Sequence, residues 1–113
     1  MLVFEKAPIW LLTMWDKSFF ANGEVYLVSD GQYTKIGKAV NPEHRLKGLQ
    51  TGNPRKLNII GTIPNYYLQL GDSIVLTDIE HCLHDIYRDK QVQLEWYDLT
   101  ENDINTILSM EVY

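Results

Sequence analysis

A hairpin signal near the start of the chain constrains the fold more than any other feature. The segment Glu24–Ser29 contains four consecutive strand-forming residues, and residues 33–38 form a second strand-like segment. Between them stands Asp30-Gly31, a pair that favours the tight turn of a hairpin because glycine readily adopts a positive φ. The sequence therefore predicts two adjacent antiparallel strands joined at these residues.

Helix and strand signals alternate after the hairpin. Asn41 is a good helix N-cap and Pro42 suits the first helical position, so a helix is expected from there to about Thr51-Gly52. Residues 57–63 are rich in Ile and are typical of a third strand. These elements predict an α+β fold with a central three-stranded, mainly antiparallel sheet flanked by helices.

Two further helices are expected in the second half of the chain. The first begins near residues 72–73 and ends near residue 89, because its apolar residues recur with a helical period. A short extended segment follows at residues 92–98. Thr100 then caps the last helix, with Asp103 three residues later as in a capping box.

The length of 113 residues suits one domain with its own core. We expect residues 24–113 to form this domain and residues 1–23, which are rich in Trp and Phe, to pack on it as an extension. The alternative is that this aromatic segment contacts a second copy or a protein partner. No apolar run reaches the ~20 residues needed to cross a membrane, and the single cysteine, Cys82, is compatible with the cytoplasm.

Charge is distributed unevenly along the chain. The net charge is −5, yet residues 33–56 contain six cations and one acid, whereas the remainder contains four cations and fourteen acids. That segment therefore carries +5 and the remainder −10. Such asymmetry predicts one phosphate-seeking face on an acidic body, although an ordinary solvated basic surface explains the same counts.

A series of short motifs follows the expected elements in order. The two hairpin strands contain Val-Tyr-Leu-Val at residues 25–28 and Lys-Ile-Gly-Lys at residues 35–38. Arg45 lies on the next helix, Glu80 lies on a later one, and Glu-Trp-Tyr occupies residues 95–97. In this order and spacing the segment resembles the GIY-YIG nuclease superfamily, in particular its phage-associated branch with a K-I-G second motif.

This resemblance implies a metal-dependent DNA endonuclease that hydrolyses phosphodiester bonds. Glu80 would bind one divalent metal, Mg²⁺ or Mn²⁺, because hard cations take oxygen ligands. Arg45 would contact the scissile phosphate with its planar guanidinium. Tyr26 would hydrogen-bond the attacking water or help to deprotonate it, with Lys35 as the cationic neighbour that a tyrosine base needs. Gly37 would allow close approach of the backbone.

Further residues are expected around the same site. His84 lies four residues after Glu80 and shares its helix face, where it would act as acid or base, ligate the metal or contact phosphate. Glu95 would brace a basic residue nearby. The DNA backbone would meet polar residues that give affinity without sequence readout, namely Lys38, Asn53, Arg55 and Lys56.

Each of these residues also has an ordinary structural interpretation. Tyr26 fits a buried strand, Arg45 a solvated helix surface, and Glu80 an ion pair along its own helix. The alternative to a nuclease is a catalytically degenerate member of the superfamily that binds a protein or DNA. In that case the aromatic N-terminal segment would be the contact surface for a protein partner. The nuclease hypothesis requires Tyr26, Arg45 and Glu80 to share one cleft.

Overall fold

The structure, a computed structural model, describes residues 1–8, 23–69 and 76–113. The aromatic residues between Trp10 and Phe20 lie outside these ranges, as does the expected start of the helix at residues 72–73. The described elements, in chain order, are β1 Val3–Phe4, β2 Glu24–Ser29, β3 Thr34–Ala39, α1 Pro42–Gln50, β4 Asn58–Pro64, β5 Tyr67–Gln69, β6 Leu76–Asp78, α2 Ile79–Ile86, the 3₁₀ helix Arg88–Lys90, β7 Gln91–Gln93, β8 Trp96–Tyr97, α3 Glu101–Leu108 and β9 Glu111–Val112.

The hairpin expected at Asp30-Gly31 is confirmed. β2 and β3 pair antiparallel along their full length. The Asp30 carboxylate accepts hydrogen bonds from the backbone N–H groups of Gln32, at 2.9 Å, and Tyr33, at 2.7 Å. Gly31 takes a φ of 97°, which a residue with a side chain rarely adopts. Contacts within a few residues thus hold the turn.

The main sheet has five strands, in the order β4-β2-β3-β8-β7, and all its neighbouring pairs are antiparallel. The expectation of three strands was therefore too low. The expected strands are β4, β2 and β3, and the additional two form a second hairpin. Its residues had been expected as one extended segment, but Leu94 turns the chain at a φ of 51°. β8 then pairs with the outer edge of β3.

The sheet separates two apolar layers, because successive strand residues point to opposite faces. On one face, Val25, Leu27 and Ile36 belong to the larger core, which also contains residues of α2 and α3. On the other face, Tyr26 and Val28 pack with residues of α1. The fold is thus a three-layer α+β sandwich, with α1 on one side of the sheet and α2 and α3 on the other.

The helix expected from residues 72–73 begins only at Ile79. The residues just before it form β6, which pairs with β5. The Asp78 side chain caps α2 by accepting a hydrogen bond from the N–H of His81 at 2.9 Å. An apolar period that continues upstream of the cap suggested a longer helix, but strand pairing takes those residues. The helix also ends earlier than expected, since a 3₁₀ helix follows it.

The N-caps expected for the other two helices are confirmed. The side chain of Asn41 accepts a hydrogen bond from the N–H of His44 at the start of α1. Thr100 and Asp103 form a reciprocal capping box at the start of α3. Both signals act over three residues, so they can be read from the sequence without knowledge of the tertiary structure.

Two short strand pairs complete the described fold. β5 and β6 pair antiparallel, and β1 and β9 pair parallel, so the N-terminal residues lie beside the last strand. In the described ranges, no helix is both long and apolar enough to cross a bilayer.

Candidate functional site

The partly uncovered edge of β3 brings the expected site residues together. β8 pairs with β3 only at Thr34 and Lys35. At the next residue, the N–H of Ile36 donates to the carbonyl oxygen of Glu95 at 3.0 Å. The carbonyl oxygen of Ile36 accepts a hydrogen bond from Nε2 of His84 at 2.9 Å. Side chains from both faces of the sheet can approach one another around such an edge.

Tyr26 on β2 lies directly opposite Gly37 on β3. The tyrosine is 1% exposed, and its ring covers the glycine. A Cβ atom at position 37 would lie 2.5 Å from Cζ of Tyr26 and closer still to its hydroxyl oxygen. A side chain fits there only if the ring moves. Gly37 therefore leaves the space that the phenol ring and hydroxyl occupy, which gives the glycine of the K-I-G motif a steric reason.

Arg45 is the cation that acts on the hydroxyl of Tyr26. Burial raises the pKa of Tyr26, and the positive charge of Arg45 opposes this rise. The carboxylates of Glu95 and Glu80 raise the pKa further, so charges from α1, α2 and the β7–β8 hairpin all act on one hydroxyl. Lys35, expected as the cationic neighbour of Tyr26, is paired with Glu95 instead. Because its pKa is raised, Tyr26 stays protonated at neutral pH.

Glu80, in the first turn of α2, is a buried carboxylate that accepts no hydrogen bond within the described part of the chain. It is 6% exposed. Its oxygens retain access to the surface, since no fully enclosed side-chain oxygen or nitrogen in the described ranges lacks a partner. Burial raises the pKa of Glu80, and the charges of His84 and Lys38 oppose that rise. A buried carboxylate without donors is costly unless it takes up a cation or a proton.

Glu80, His84 and Glu95 form a compact group that fits a divalent cation. One ligand atom from each lies within 4.8 Å of the others. Ligands about 2.1 Å from an octahedral cation lie about 3 to 4 Å apart, so small side-chain movements suffice to close the group around an ion. Nε2–H of His84 donates to a carbonyl oxygen, so any lone pair that the ring offers lies on Nδ1. The group thus offers two carboxylates and one imidazole.

Glu95 is also one half of an ion pair. Nζ of Lys35 lies 2.7 Å from Oε2 of Glu95 and 6.0 Å from the centroid of the Trp96 ring. The expectation that Glu95 braces a basic residue is confirmed. Its place beside Glu80 and His84 was not expected. The Glu-Trp-Tyr motif marked the residue, but its proximity to α2 depends on the pairing of β8 with β3.

A second carboxylate, Asp78, lies two residues before Glu80 and is fully engaged. It accepts hydrogen bonds from Nζ of Lys38 at 2.9 Å and from Nδ2 of Asn65 at 3.2 Å. The backbone nitrogen and Nδ1 of His81 lie at 2.9 and 2.6 Å. Burial acts to raise the pKa of Asp78, but these donors hold it at about 2. This residue was missed from the sequence, because the helix was expected to begin upstream of it, near residues 72–73.

The four residues expected to contact DNA are spread along the β2–β3 hairpin. Lys38 lies near its base and is engaged in an ion pair, whereas Arg55 lies 3.5 Å from Asp30 at its tip. Asn53 accepts a hydrogen bond from the N–H of Arg55, and Lys56 is exposed. Strand geometry puts about 16 Å between base and tip. Lys38 pairs with Val25 and Lys35 with Val28, so these two lysines lie on opposite faces of the sheet and do not form one continuous basic surface.

Comparison with known proteins places most of the chain in a family. The family model described as the T5orf172 domain matches residues 23–111, which include the hairpin, the three α-helices of the described ranges and the residues around the edge of β3. No curated protein and no solved structure matches the chain. The protein therefore belongs to the T5orf172 domain family, a phage-associated domain.

Proposed function

We propose that the protein is a metal-dependent DNA endonuclease related to the GIY-YIG superfamily. One observation carries the proposal. Glu80 is a buried carboxylate without a donor in the described structure, and it is grouped with His84 and Glu95 at the edge of β3. The ring of Tyr26 covers Gly37 on the same strand β3, and its hydroxyl is under the charge of Arg45. Membership of the T5orf172 domain family, which is found in some nuclease-like proteins, supports this assignment.

Phosphodiester hydrolysis requires positive charge at the scissile phosphate, and three residues contribute to it. Glu80 would hold Mg²⁺ or Mn²⁺, and either ion would supply positive charge to the phosphate. Arg45 binds the phosphate through the N–H groups of its guanidinium, since it already lies beside Tyr26. Lys35 pairs with Glu95 in the structure, and its charge would be available to the phosphate once that pair opens.

Tyr26 and His84 position and deprotonate the attacking water. The raised pKa of Tyr26 keeps its hydroxyl protonated at neutral pH, so this residue orients the water by hydrogen bonding and is a poor base. His84 has a fixed ring, because its Nε2–H donates to Ile36. Its Nδ1 is therefore the nitrogen that accepts a proton from the water.

DNA binding extends from this site toward the tip of the hairpin. Arg55, Lys56 and Asn53 lie on the tip side, and Lys38 lies near the base, where it must leave Asp78 to meet a phosphate. Contacts of this kind give affinity but no sequence readout. Because the rest of the chain carries −10, we expect binding to weaken steeply as salt concentration rises.

A cleavage assay tests the proposal. Purified protein is incubated with supercoiled plasmid, single-stranded DNA and branched DNA in Mg²⁺, in Mn²⁺ and in EDTA. We expect metal-dependent nicking that disappears in Glu80→Ala and Arg45→Ala. The matched controls are Glu101→Ala and Arg88→Ala, which replace exposed residues of the same types on α3 and after α2. Absence of cleavage of every DNA form in either metal would contradict the proposal.

The alternative function is a degenerate superfamily member that binds DNA or a protein partner. It is favoured by the engagement of Lys38 and Arg55 with acidic residues, which reduces the charge available to DNA. The aromatic residues Trp10 and Trp15 would then contact a partner or a second copy. This alternative predicts a stable complex that depends on these two residues and survives Glu80→Ala, with no cleavage activity.

A further inference from the structure

The ion pair between Lys35 and Glu95 occupies one of the carboxylates that a cation beside Glu80 would use. Nζ of Lys35 lies 2.7 Å from Oε2 of Glu95, and the two side chains are 14% and 41% exposed. The same carboxylate offers an oxygen within 4.8 Å of ligand atoms of Glu80 and His84. An ammonium group and a divalent cation compete for this carboxylate, because the two positive charges repel each other at close range.

Glu80 supplies an independent observation that points to a cation. It is more than nine-tenths buried, its oxygens retain access to the surface, and no hydrogen bond to them is made within the described residues. Glu95 also contributes a negative charge that raises the pKa of Glu80, so the two carboxylates repel each other. A cation placed between them removes this repulsion and satisfies both groups.

We propose that Glu95 exchanges its cation: it pairs with Lys35 when the site holds no metal, and it becomes a second carboxylate ligand beside Glu80 when a divalent metal binds. The proposal rests on the proposed function only in taking Glu80 as the metal-holding residue. Two carboxylate oxygens suit Mg²⁺ and Mn²⁺ better than one carboxylate and an imidazole. His84 is then left to act on the water. Lys35 is released on the face of the sheet that also carries Tyr26, since alternate residues of β3 share a face.

Lys35 is thus a positioning residue that competes with the metal. Removing its charge should favour metal binding, whereas removing the Glu95 charge should weaken it. The two substitutions should therefore change the affinity for metal in opposite directions. If the ion pair had only a structural role, both would change it in the same direction.

The test measures Mn²⁺ binding without DNA, by calorimetry and by the electron paramagnetic resonance signal of free Mn²⁺. We expect Lys35→Gln to bind Mn²⁺ about two- to fivefold more tightly than the unmodified chain, the range of one partly exposed ion pair. Glu95→Gln should bind about tenfold more weakly or worse. When Lys35→Gln is combined with Glu95→Gln, it should no longer change the affinity for Mn²⁺, because the Glu95 carboxylate for which Lys35 and the metal compete is absent.

One matched control comes from a second ion pair and the other from an exposed acidic residue. Lys90→Gln removes a lysine that pairs with Asp103, away from the site, and Glu101→Gln removes an exposed acid. Both should leave the affinity for Mn²⁺ unchanged. Thermal unfolding in EDTA shows whether each variant is folded. Lys35→Met, which fills the same space without charge, replaces Lys35→Gln if the latter unfolds.

Two sets of outcomes separate this inference from the proposed function. Unchanged or weaker Mn²⁺ binding in folded Lys35→Gln and Lys35→Met, unchanged binding in Glu95→Gln, or no binding by the unmodified chain overturns cation exchange. Metal-dependent cleavage can persist in each case, which leaves the nuclease proposal standing. Conversely, the expected pattern of affinities in a protein that cuts no DNA supports the exchange and contradicts the nuclease.

Discussion

Asp78 and Glu80 are acidic residues at the start of the same helix, and both are buried, at 4% and 6% exposure. Asp78 accepts four hydrogen bonds, and its donors hold its pKa at about 2. Glu80 accepts none within the described residues, and burial raises its pKa. Burial alone therefore does not distinguish a structural carboxylate from a ligand-binding one. The supply of donors does, because a carboxylate whose lone pairs are already used has little to offer a cation.

The difference follows from where each side chain lies. Asp78 precedes the helix and accepts hydrogen bonds from its first turn, from Asn65 and from Lys38. Glu80 is two residues further on, beside His84 and the edge of β3. Two neighbouring carboxylates at the start of one helix therefore belong to two regions. We call the first the capping network, which consists of Asp78, Lys38, Asn65 and His81. We call the second the edge site, which consists of Tyr26, Arg45, Glu80, His84 and Glu95.

The largest expected effect separates the two carboxylates by activity. Glu80→Gln removes the charge to which the proposed function assigns the cation, so the initial rate of metal-dependent plasmid nicking should fall by about 10²- to 10³-fold or more. Asp78→Asn, two residues away, should retain most of the rate, measured at a temperature where it is folded. If a folded Asp78→Asn protein lost activity to the same extent as Glu80→Gln, the division into two regions would be incorrect.

A second prediction concerns the contact between Gly37 and Tyr26 in the edge site. Gly37→Ala places a methyl group against the buried phenol ring, which should lower the free energy of unfolding by about 1 to 3 kcal/mol and reduce nicking by moving the hydroxyl. Denaturant unfolding and the nicking assay measure the two effects.

The control for this prediction is a glycine on α1. A Cβ at Gly48 would contact nothing within 4 Å, so Gly48→Ala should raise the free energy of unfolding by about 0.5 to 1 kcal/mol. Equal stability of Gly37→Ala and the unmodified protein would mean that the ring of Tyr26 moves freely, contrary to its 1% exposure.

A third prediction concerns stability, for which we expect Asp78 to matter more than Glu80, the reverse of their order for activity. Asp78→Asn replaces an acceptor of Lys38 and Asn65 by an amide that donates, so it should lower the free energy of unfolding by about 2 kcal/mol at pH 7. Glu80→Gln removes a buried charge that has no donor and should leave stability unchanged or higher. Urea denaturation without metal measures both. A larger loss in Glu80→Gln would show that Glu80 belongs to the capping network.

The smallest expected effect is the response to acid. The pKa of Asp78 is lowered from 3.8 to about 2, so its contribution to stability is full above pH 4 and is lost as the pH falls through 2. The loss is at most about 2 kcal/mol. The pKa of Glu80 is raised, so its protonation on acidification has the opposite sign and stabilises the fold.

Unfolding measured between pH 7 and pH 2 tests these signs. Asp78→Asn should remove the loss of stability that occurs below pH 4. Glu80→Gln should remove the gain of stability that protonation of Glu80 gives as the pH falls, at a higher pH than the loss. A steeper acid loss in Asp78→Asn than in the unmodified chain would contradict the assignment of Asp78 as an ionised, hydrogen-bonded group.

Local signals allowed much of the fold to be predicted. The turn at Asp30-Gly31 and the N-caps at Asn41 and Thr100 each depend on contacts within three residues, so the sequence around them carries all the information. The start of α2 could not be placed, because an apolar period continues upstream into residues that pair with β5. Such pairing depends on a segment elsewhere in the chain, which periodicity does not reveal.

The same distinction applies to the edge site. The proximity of Glu80 and His84 follows from helix geometry, since residues four apart share a face. The pairing of Lys35 with Glu95 joins residues 60 positions apart, and the action of Arg45 on Tyr26 joins α1 to β2. Neither pair could be chosen from several candidate cations without the packing of the elements.

By itself, the sequence determined the hairpin, two helix starts and the order of residues that resemble a nuclease, because these depend on short-range geometry. Only the tertiary structure decided that the sheet has five strands, that Arg45 and not Lys35 acts on Tyr26, and that Glu95 joins Glu80 and His84. The physical reason is that β8 and α2 meet at the edge of β3 through hydrogen bonds to Ile36. Those contacts join distant segments, and no local pattern encodes them.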